Sequence, residues 1–240
     1  MRASAVLFDQ VHIGLTDRAD GDQRPQRWQL HNPTVDAPAL ADPGVAQLLV
    51  TGEVWTFVHQ VHHRSVLLTR GPAGPIEAEA DGLVTDLANL PLSMLGADCA
   101  LIGFGSPEGV IGVAHAGWRG LLEGVIEATI TQMRDLGART IAAAIGPTIG
   151  VECYEFSPDD LVPLIERFGP AVEGRTTSGS VALDLRACID VALGEAMVSE
   201  VTTIGACTAC DPMFYSWRAR HDSGRQALVI WREDDLAHED

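Results

Sequence analysis

Apolar residues along this chain recur in short, strand-like runs and in longer stretches at helical spacing. The sharpest change of rhythm falls in residues 109–137. Residues 110–114 are apolar and rich in β-branched side chains, a pattern that predicts one buried strand. A turn follows, His115-Ala116-Gly117-Trp118-Arg119-Gly120. Then Leu121, Leu122, Val125, Ile126, Thr129, Ile130, Met133 and Leu136 recur at helical spacing, with Gly137 placed to stop the helix. The unit reads as strand, turn and helix with a histidine at the strand's end. An imidazole beside the free N–H groups of a helix start suits a metal or an anion, and equally an ordinary buried corner.

Residues 53–61 predict a further strand, with His59 and His62 on opposite faces, so that at most one faces a given site; His63 reads as solvated. Residues 65–69 and 81–85 are extended, separated by a Gly/Pro turn at 71–75. Residues 92–104 read as one buried strand bent or bulged at Gly96-Ala97-Asp98-Cys99, where the aspartate is costly to bury without partners. A strand at 140–145 leads into the turn 146–150. Ser157-Pro158 opens a helix over about 159–168. Residues 182–185 start another, with Leu185, Cys188, Ile189, Ala192, Leu193 and Met197 on one face; 201–206 and 227–231 are strand-like. Upstream, 3–8 predicts a strand, 16–25 a polar loop, 28–30 a short strand, and 39–49 weak helix broken by Pro43 and Gly44. With no repeat and no linker, residues 1–240 read as a single domain.

Composition narrows the function. A net charge of -17 over 240 residues argues against a nucleic-acid surface. The acidic tail, 232–240, serves solubility. No apolar run approaches the roughly 18 residues of a membrane span, and the N-terminus lacks a signal-peptide core. The expected location is the cytoplasm. Cys99, Cys153, Cys188, Cys207 and Cys210 do not form a disulfide framework and read as free thiols, one or more of them a ligand or nucleophile. The lone Cys207-Thr-Ala-Cys210 would suit half of a zinc site or redox chemistry, but with no second Cys-x-x-Cys pair in the chain it establishes neither. Arg218, Arg220 and Arg225, close together among only 16 basic residues, are candidates for an anionic substrate.

His62, Cys99 and His115 each stand at the end or bend of a separate extended segment. Two imidazoles and a thiolate suit Zn²⁺ with a fourth position left for water or substrate. Copper accepts the same donors, and without metal Cys99 and His115 suit a thiolate nucleophile and its base. Spacing alone does not select among these.

The sequence resembles the laccase-domain family, a purine nucleoside phosphorylase family whose members are also known as multicopper polyphenol oxidases or peptidoglycan-editing factors. The matching segments are Gln60-Val61-His62, Ala97-Asp98-Cys99, His115 to Gly120, Gly146-Pro147 with Ile149-Gly150, Tyr154-Glu155, and Cys207 through Phe214, Ser216 and Arg218 to Gly224-Arg225. The resemblance implies an α/β (α+β) sandwich of mixed β-sheets flanked by helices. It also implies a metal site of His62, Cys99 and His115, holding zinc, with copper as the alternative, and with Cys99 and His115 catalytic. Gln60, Arg119 and Arg218 become candidates for substrate binding. The implied partners are nucleoside and phosphate, with no nucleic acid or membrane, in a monomer or small homo-oligomer. The implied reaction is zinc-dependent phosphorolysis of adenosine, inosine, guanosine or methylthioadenosine, with adenosine deamination. Alternatives are hydrolysis of a muramyl-amino-acid precursor, copper-dependent phenol oxidation, and a non-enzymatic relic. Two departures stand out. Residues 16–30 lack the family's opening arginine, paired glycines and Ser-Leu-Asn-Leu segment. Leu101 replaces a proline that commonly follows the cysteine motif.

Overall fold

A computed structural model describes residues 3–24 and 51–234. The expected strand at 28–30, the helix at 39–49 and the tail from 235 lie outside the described residues. β1 (Ala3–Leu7), β2 (Val11–Leu15), β5 (Leu92–Gly96) and β12 (Gln226–Arg232) make an antiparallel sheet in the order β1-β2-β12-β5. A mixed sheet is built from β3 (Val66–Leu68), β4 (Gly82–Thr85), β6 (Ala100–Gly105), β7 (Ile111–Ala116), β8 (Ala142–Ile145) and β11 (Glu200–Thr203). Its order is β11-β8-β6-β7-β4-β3, antiparallel in the middle and parallel in the outermost pair at each edge. β9 (Glu173–Arg175) and β10 (Val181–Leu183) form a separate hairpin. Among the described residues the helices are α1 (Trp118–Glu123), α2 (Val125–Asp135), α3 (Pro158–Phe168), α4 (Leu185–Glu195) and α5 (Trp217–Arg220).

The period-two geometry of β6 shows how the layers divide. Ala100, Ile102 and Phe104 join the core shared with the helices, whereas Leu101 joins the core between the two sheets. Gly103 and Gly105 also face the antiparallel sheet. A Cβ on Gly103 would sit 3.1 Å from Ile13 Cδ1, and one on Gly105 3.0 Å from Val11 Cγ1, so glycine lets the sheets close on each other here. Trp55 and Phe57 cover the outer face of the antiparallel sheet with Leu95, Ala227 and Val229. Each fully buried side chain of this size contributes about 1.5–3 kcal/mol.

Several expectations need correction. Residues 92–104 are not one bulged strand: β5 belongs to the antiparallel sheet and β6 to the mixed sheet, and Ala97-Asp98-Cys99 is the crossing between them. The helix after His115 is two helices, because Gly124 takes a left-handed conformation (φ 91°, ψ 42°) and ends α1 as α2 begins. Residues 53–61 form no ladder, since Thr56 bridges Leu92 while His59 bridges Glu79, a change of partner within three residues. β2 has no counterpart among the expected elements. The polar loop after it contains a short 3₁₀ turn, Arg18–Asp20, and Asp17, Asp22 and Gln23 in this loop are buried. Met197 lies beyond α4, at φ 54° and 75% exposed, off the buried face assigned to it. Asp184 caps α4 by accepting from Ala187 N (2.9 Å), while Ser157, at the start of α3, makes no such bond.

Candidate metal centre and active site

The site forms where the chain crosses between sheets, and a buried aspartate organises it. Asp81, immediately before β4, has no solvent exposure. Its carboxylate accepts the backbone N–H groups of Val61 (3.1 Å), His62 (3.0 Å) and His63 (2.9 Å), so the chain curls around it. This curl holds His62 at φ 64°, a left-handed conformation costing a non-glycine residue roughly 1–2 kcal/mol, which the three bonds offset. The same carboxylate meets His115 Nδ1 at 2.8 Å, and its main-chain oxygen accepts the His115 N–H, also at 2.8 Å. Burial pushes the Asp81 carboxyl up, but His115 and the backbone donors hold it below the usual carboxylate range. An ionised Asp81 keeps the proton on Nδ1 and leaves Nε2 of His115 to the site.

Cys99 closes the triad at the end of the sheet crossing. Its neighbour Gly117 admits no side chain: a Cβ there would sit 2.9 Å from Cys99 Sγ and 3.4 Å from His62 Cδ2. One donor atom each from His62, Cys99 and His115 lies within 4.8 Å of the others. The two imidazoles meet edge to face, centroids 4.8 Å apart. Burial pushes the Cys99 thiol up, yet the adjacent His115 and His62 outweigh it and bring it to about 6. Burial likewise lowers His115, but the Cys99 thiolate and Asp81 raise it to about 9. A thiolate with two imidazoles, one oriented by a carboxylate, is a donor set able to hold a metal ion, with His62 exposed and one side open.

That open side faces a cavity of about 1110 Å³. Four of the chain's 16 basic residues line it: Arg24, Arg119, Arg218 and Arg225. Arg119 lies over the Trp118 ring at 4.1 Å, with no hydrogen bond to its guanidinium among the described residues. Arg218 lies over the Tyr154 ring at 4.8 Å and donates to Glu155 O. Arg225 donates through Nη1 to three carbonyls at 222–224, and Arg24 pairs with Asp22. Arg220, grouped with the candidates by sequence, is turned away; it donates to the carbonyls of Thr208, Ala209 and Phe214 and to Asp222. Trp118, Tyr154 and Trp217 add aromatic surface to the cavity.

Gln60 also lines the cavity, with its amide bonded at both ends to the Leu95 backbone (2.8 and 2.9 Å). His59 and His62 line the same cavity, contrary to the opposite-face expectation, because the segment is not a regular strand. His59 meets Glu77 at 2.9 Å, and the exposed His63 meets Glu123 at 2.9 Å. The cost of burying Asp98 is met as expected: its carboxylate accepts Thr208 Oγ1 (2.6 Å) and Arg218 N (2.7 Å). Sequence reasoning missed Asp81 and Arg24. An acid heading the apolar run 83–84 was the available signal for Asp81; Arg24 sat in a segment without hydrophobic pattern.

Residues 43–233 match the family described as multi-copper polyphenol oxidoreductase laccase, and the chain belongs to that family. Within it, the chain is 34% identical to a purine nucleoside phosphorylase of Xylella fastidiosa, over 95% of this chain and 87% of that one. It is 30% identical to a purine nucleoside phosphorylase of Mycobacterium tuberculosis, over 91% and 90%. Among solved structures, a Neisseria meningitidis protein superposes with a TM-score of 0.79 at 25% identity, covering 98% of this chain and 100% of that one. YlmD from Geobacillus stearothermophilus superposes with a TM-score of 0.74 at 29% identity, over 95% and 93%. The layered α/β sandwich of mixed sheets and flanking helices is thus the fold of these relatives. No helix among the described residues is long and apolar enough to cross a membrane.

Proposed function

We propose that this protein is a zinc-dependent purine nucleoside phosphorylase acting on adenosine, inosine, guanosine and methylthioadenosine, with adenosine deaminase activity at the same centre. The observation that carries this reading is one cavity holding the His62–Cys99–His115 triad, a basic rim and an aromatic wall. The names of the relatives supply the substrate class. His62, Cys99 and His115 would hold zinc, which supplies Lewis acidity for phosphorolysis and for hydrolytic deamination. Zinc is preferred to copper because the triad leaves an open face, and among the described residues no methionine lines the cavity to give the axial thioether of a His₂Cys copper site.

Phosphorolysis forms a bond from a phosphate oxygen to the ribose anomeric carbon. The carbon–nitrogen bond to the purine breaks, and its electron pair leaves with the base. Arg119 and Arg218, joined by Arg225, hold the phosphate; planar guanidinium groups match its oxygens. Trp118 and Tyr154 present rings against which a purine stacks. Burial holds the Tyr154 phenol protonated far above its usual range, so its hydroxyl remains a donor. Gln60 shapes the wall by fixing the loop before His62 to β5. Asp98 sets Arg218 by accepting its backbone N–H.

The test is phosphate-dependent base release from the four nucleosides, and ammonia release from adenosine, with zinc measured on the same sample. The wild-type protein is run beside His62→Ala and Cys99→Ala. Turnover lost together with the zinc equivalent held by the triad in both variants is the expected result. A protein that carries zinc at the triad and releases no base would end the phosphorylase reading.

A further inference from the structure

Away from the cavity's open side, three thiols and a carboxylate meet at a second place. Glu152 and Cys153 belong to a 3₁₀ turn, Val151–Cys153, that follows β8. Cys207 and Cys210 belong to the turn that follows β11. One ligand atom from each of Glu152, Cys153, Cys207 and Cys210 lies within 4.8 Å of all the others. Cys153 Sγ and Cys210 Sγ are 3.4 Å apart, and Cys210 Sγ lies 3.4 Å from Glu152 Oε1. Cys207 Sγ accepts the backbone N–H of Gly150 at 3.1 Å, the contact that commonly steadies a ligand sulfur.

We infer that Glu152, Cys153, Cys207 and Cys210 form a second, structural site for a thiophilic divalent cation such as Zn²⁺. Tetrahedral ligation with zinc–sulfur bonds of about 2.3 Å places ligand sulfurs about 3.8 Å apart, and this cluster needs only small side-chain adjustments to reach that spacing. Four protein donors close the coordination shell, which marks a structural rather than a catalytic site. The lone Cys-x-x-Cys motif finds its missing partners here, on a turn more than fifty residues upstream. The two turns already touch, with Thr208 N donating to Thr148 O at 3.1 Å. Each also feeds the cavity: Tyr154 follows Cys153, and Thr208, which bonds Asp98, follows Cys207. A cation here fastens together the two segments that hold the aromatic wall and the residue beside Cys99.

The inference does not depend on the substrate. Protein purified under reducing conditions is expected to carry two zinc equivalents per chain, and His62→Ala/Cys99→Ala/His115→Ala one. Stripping that triple variant of its zinc with a chelator and titrating it with Co²⁺ should give a thiolate-to-cobalt charge-transfer band that saturates at one equivalent. Adding Cys207→Ser should weaken the band by about a third, and replacing Cys153, Cys207 and Cys210 together by Ser should abolish it. The titration uses the intact cluster, so its result stands even where a cysteine variant fails to fold. No such band in the triple variant, or a Cys153–Cys210 disulfide found by mass under the same reducing conditions, would overturn the second site.

Discussion

Asp81 accepts three consecutive backbone N–H groups and the Nδ1–H of His115 with two oxygens, an arrangement an amide cannot reproduce. Asp81→Asn turns one acceptor into an NH₂ that faces donors, loosening His62 and freeing the His115 tautomer. Metal affinity at the triad should fall about 10- to 100-fold, as replacement of an outer-shell partner commonly does. Chelator competition on protein with the Glu152 cluster mutated measures this, and unchanged affinity would remove Asp81 from the centre. Cys99 offers a second measurement. In metal-free protein its thiolate persists down to about pH 6, so alkylation should be half-maximal near there. Below that pH the thiol protonates and the rate falls. His115→Asn removes the chief compensating charge and should move the midpoint up toward 9.0 or beyond. Cys188, buried and pushed up to about 12, serves as the unreactive control. A midpoint that ignores His115 would show that the two residues are not coupled.

Gly124 decides how the helical region divides. Its φ of 91° lies where only glycine sits without strain, and a Cβ there would meet only Glu127, at 3.4 Å. Gly124→Ala should therefore destabilise the fold by about 1–2 kcal/mol through backbone strain alone. Denaturant unfolding measures it; a stabilising effect would mean that one continuous helix is within reach. The sequence hides this break because Leu121, Val125, Ile126, Ile130 and Met133 all face one core, so the apolar rhythm runs across it. The same blindness explains 92–104. Leu92 and Met94 are buried between the sheets, as is Leu101, so hydrophobicity continues while the chain changes sheet. What could be read was β7, where β-branched residues end at a histidine, and the candidate trio His62, Cys99 and His115, whose side-chain types carry their own chemistry and whose donor atoms the fold brings within 4.8 Å of one another. What could not be read were features made by backbone groups: the N–H groups gathered on Asp81, and the change of bridge partner between Thr56 and His59. A hydrophobic pattern holds no record of either.

At the scale of the whole molecule, a chain of net charge -17 gathers four arginines around one cavity. Under the phosphorolysis proposal the two fields oppose each other, and distance separates them. The arginines act on bound phosphate at contact range, inside the Debye length at any ordinary salt concentration. The scattered carboxylates act from farther away, through a Debye length of about 30 Å at 0.01 M that shrinks to about 8 Å at 0.15 M. Added salt therefore screens the repulsion first. The KM for phosphate should fall roughly two- to tenfold over that range, the reverse of what a basic anion-binding protein shows. The KM for an uncharged nucleoside should stay constant. Two salts with anions of different size separate screening from competition, since only competition depends on which anion is used. Arg218→Ala should raise the phosphate KM about tenfold or more at every salt concentration, because it removes a contact rather than a field. A phosphate KM that instead rises with ionic strength, equally in both salts, would mean that the arginines govern approach as well as binding. The acidic surface would then have no part in choosing the substrate.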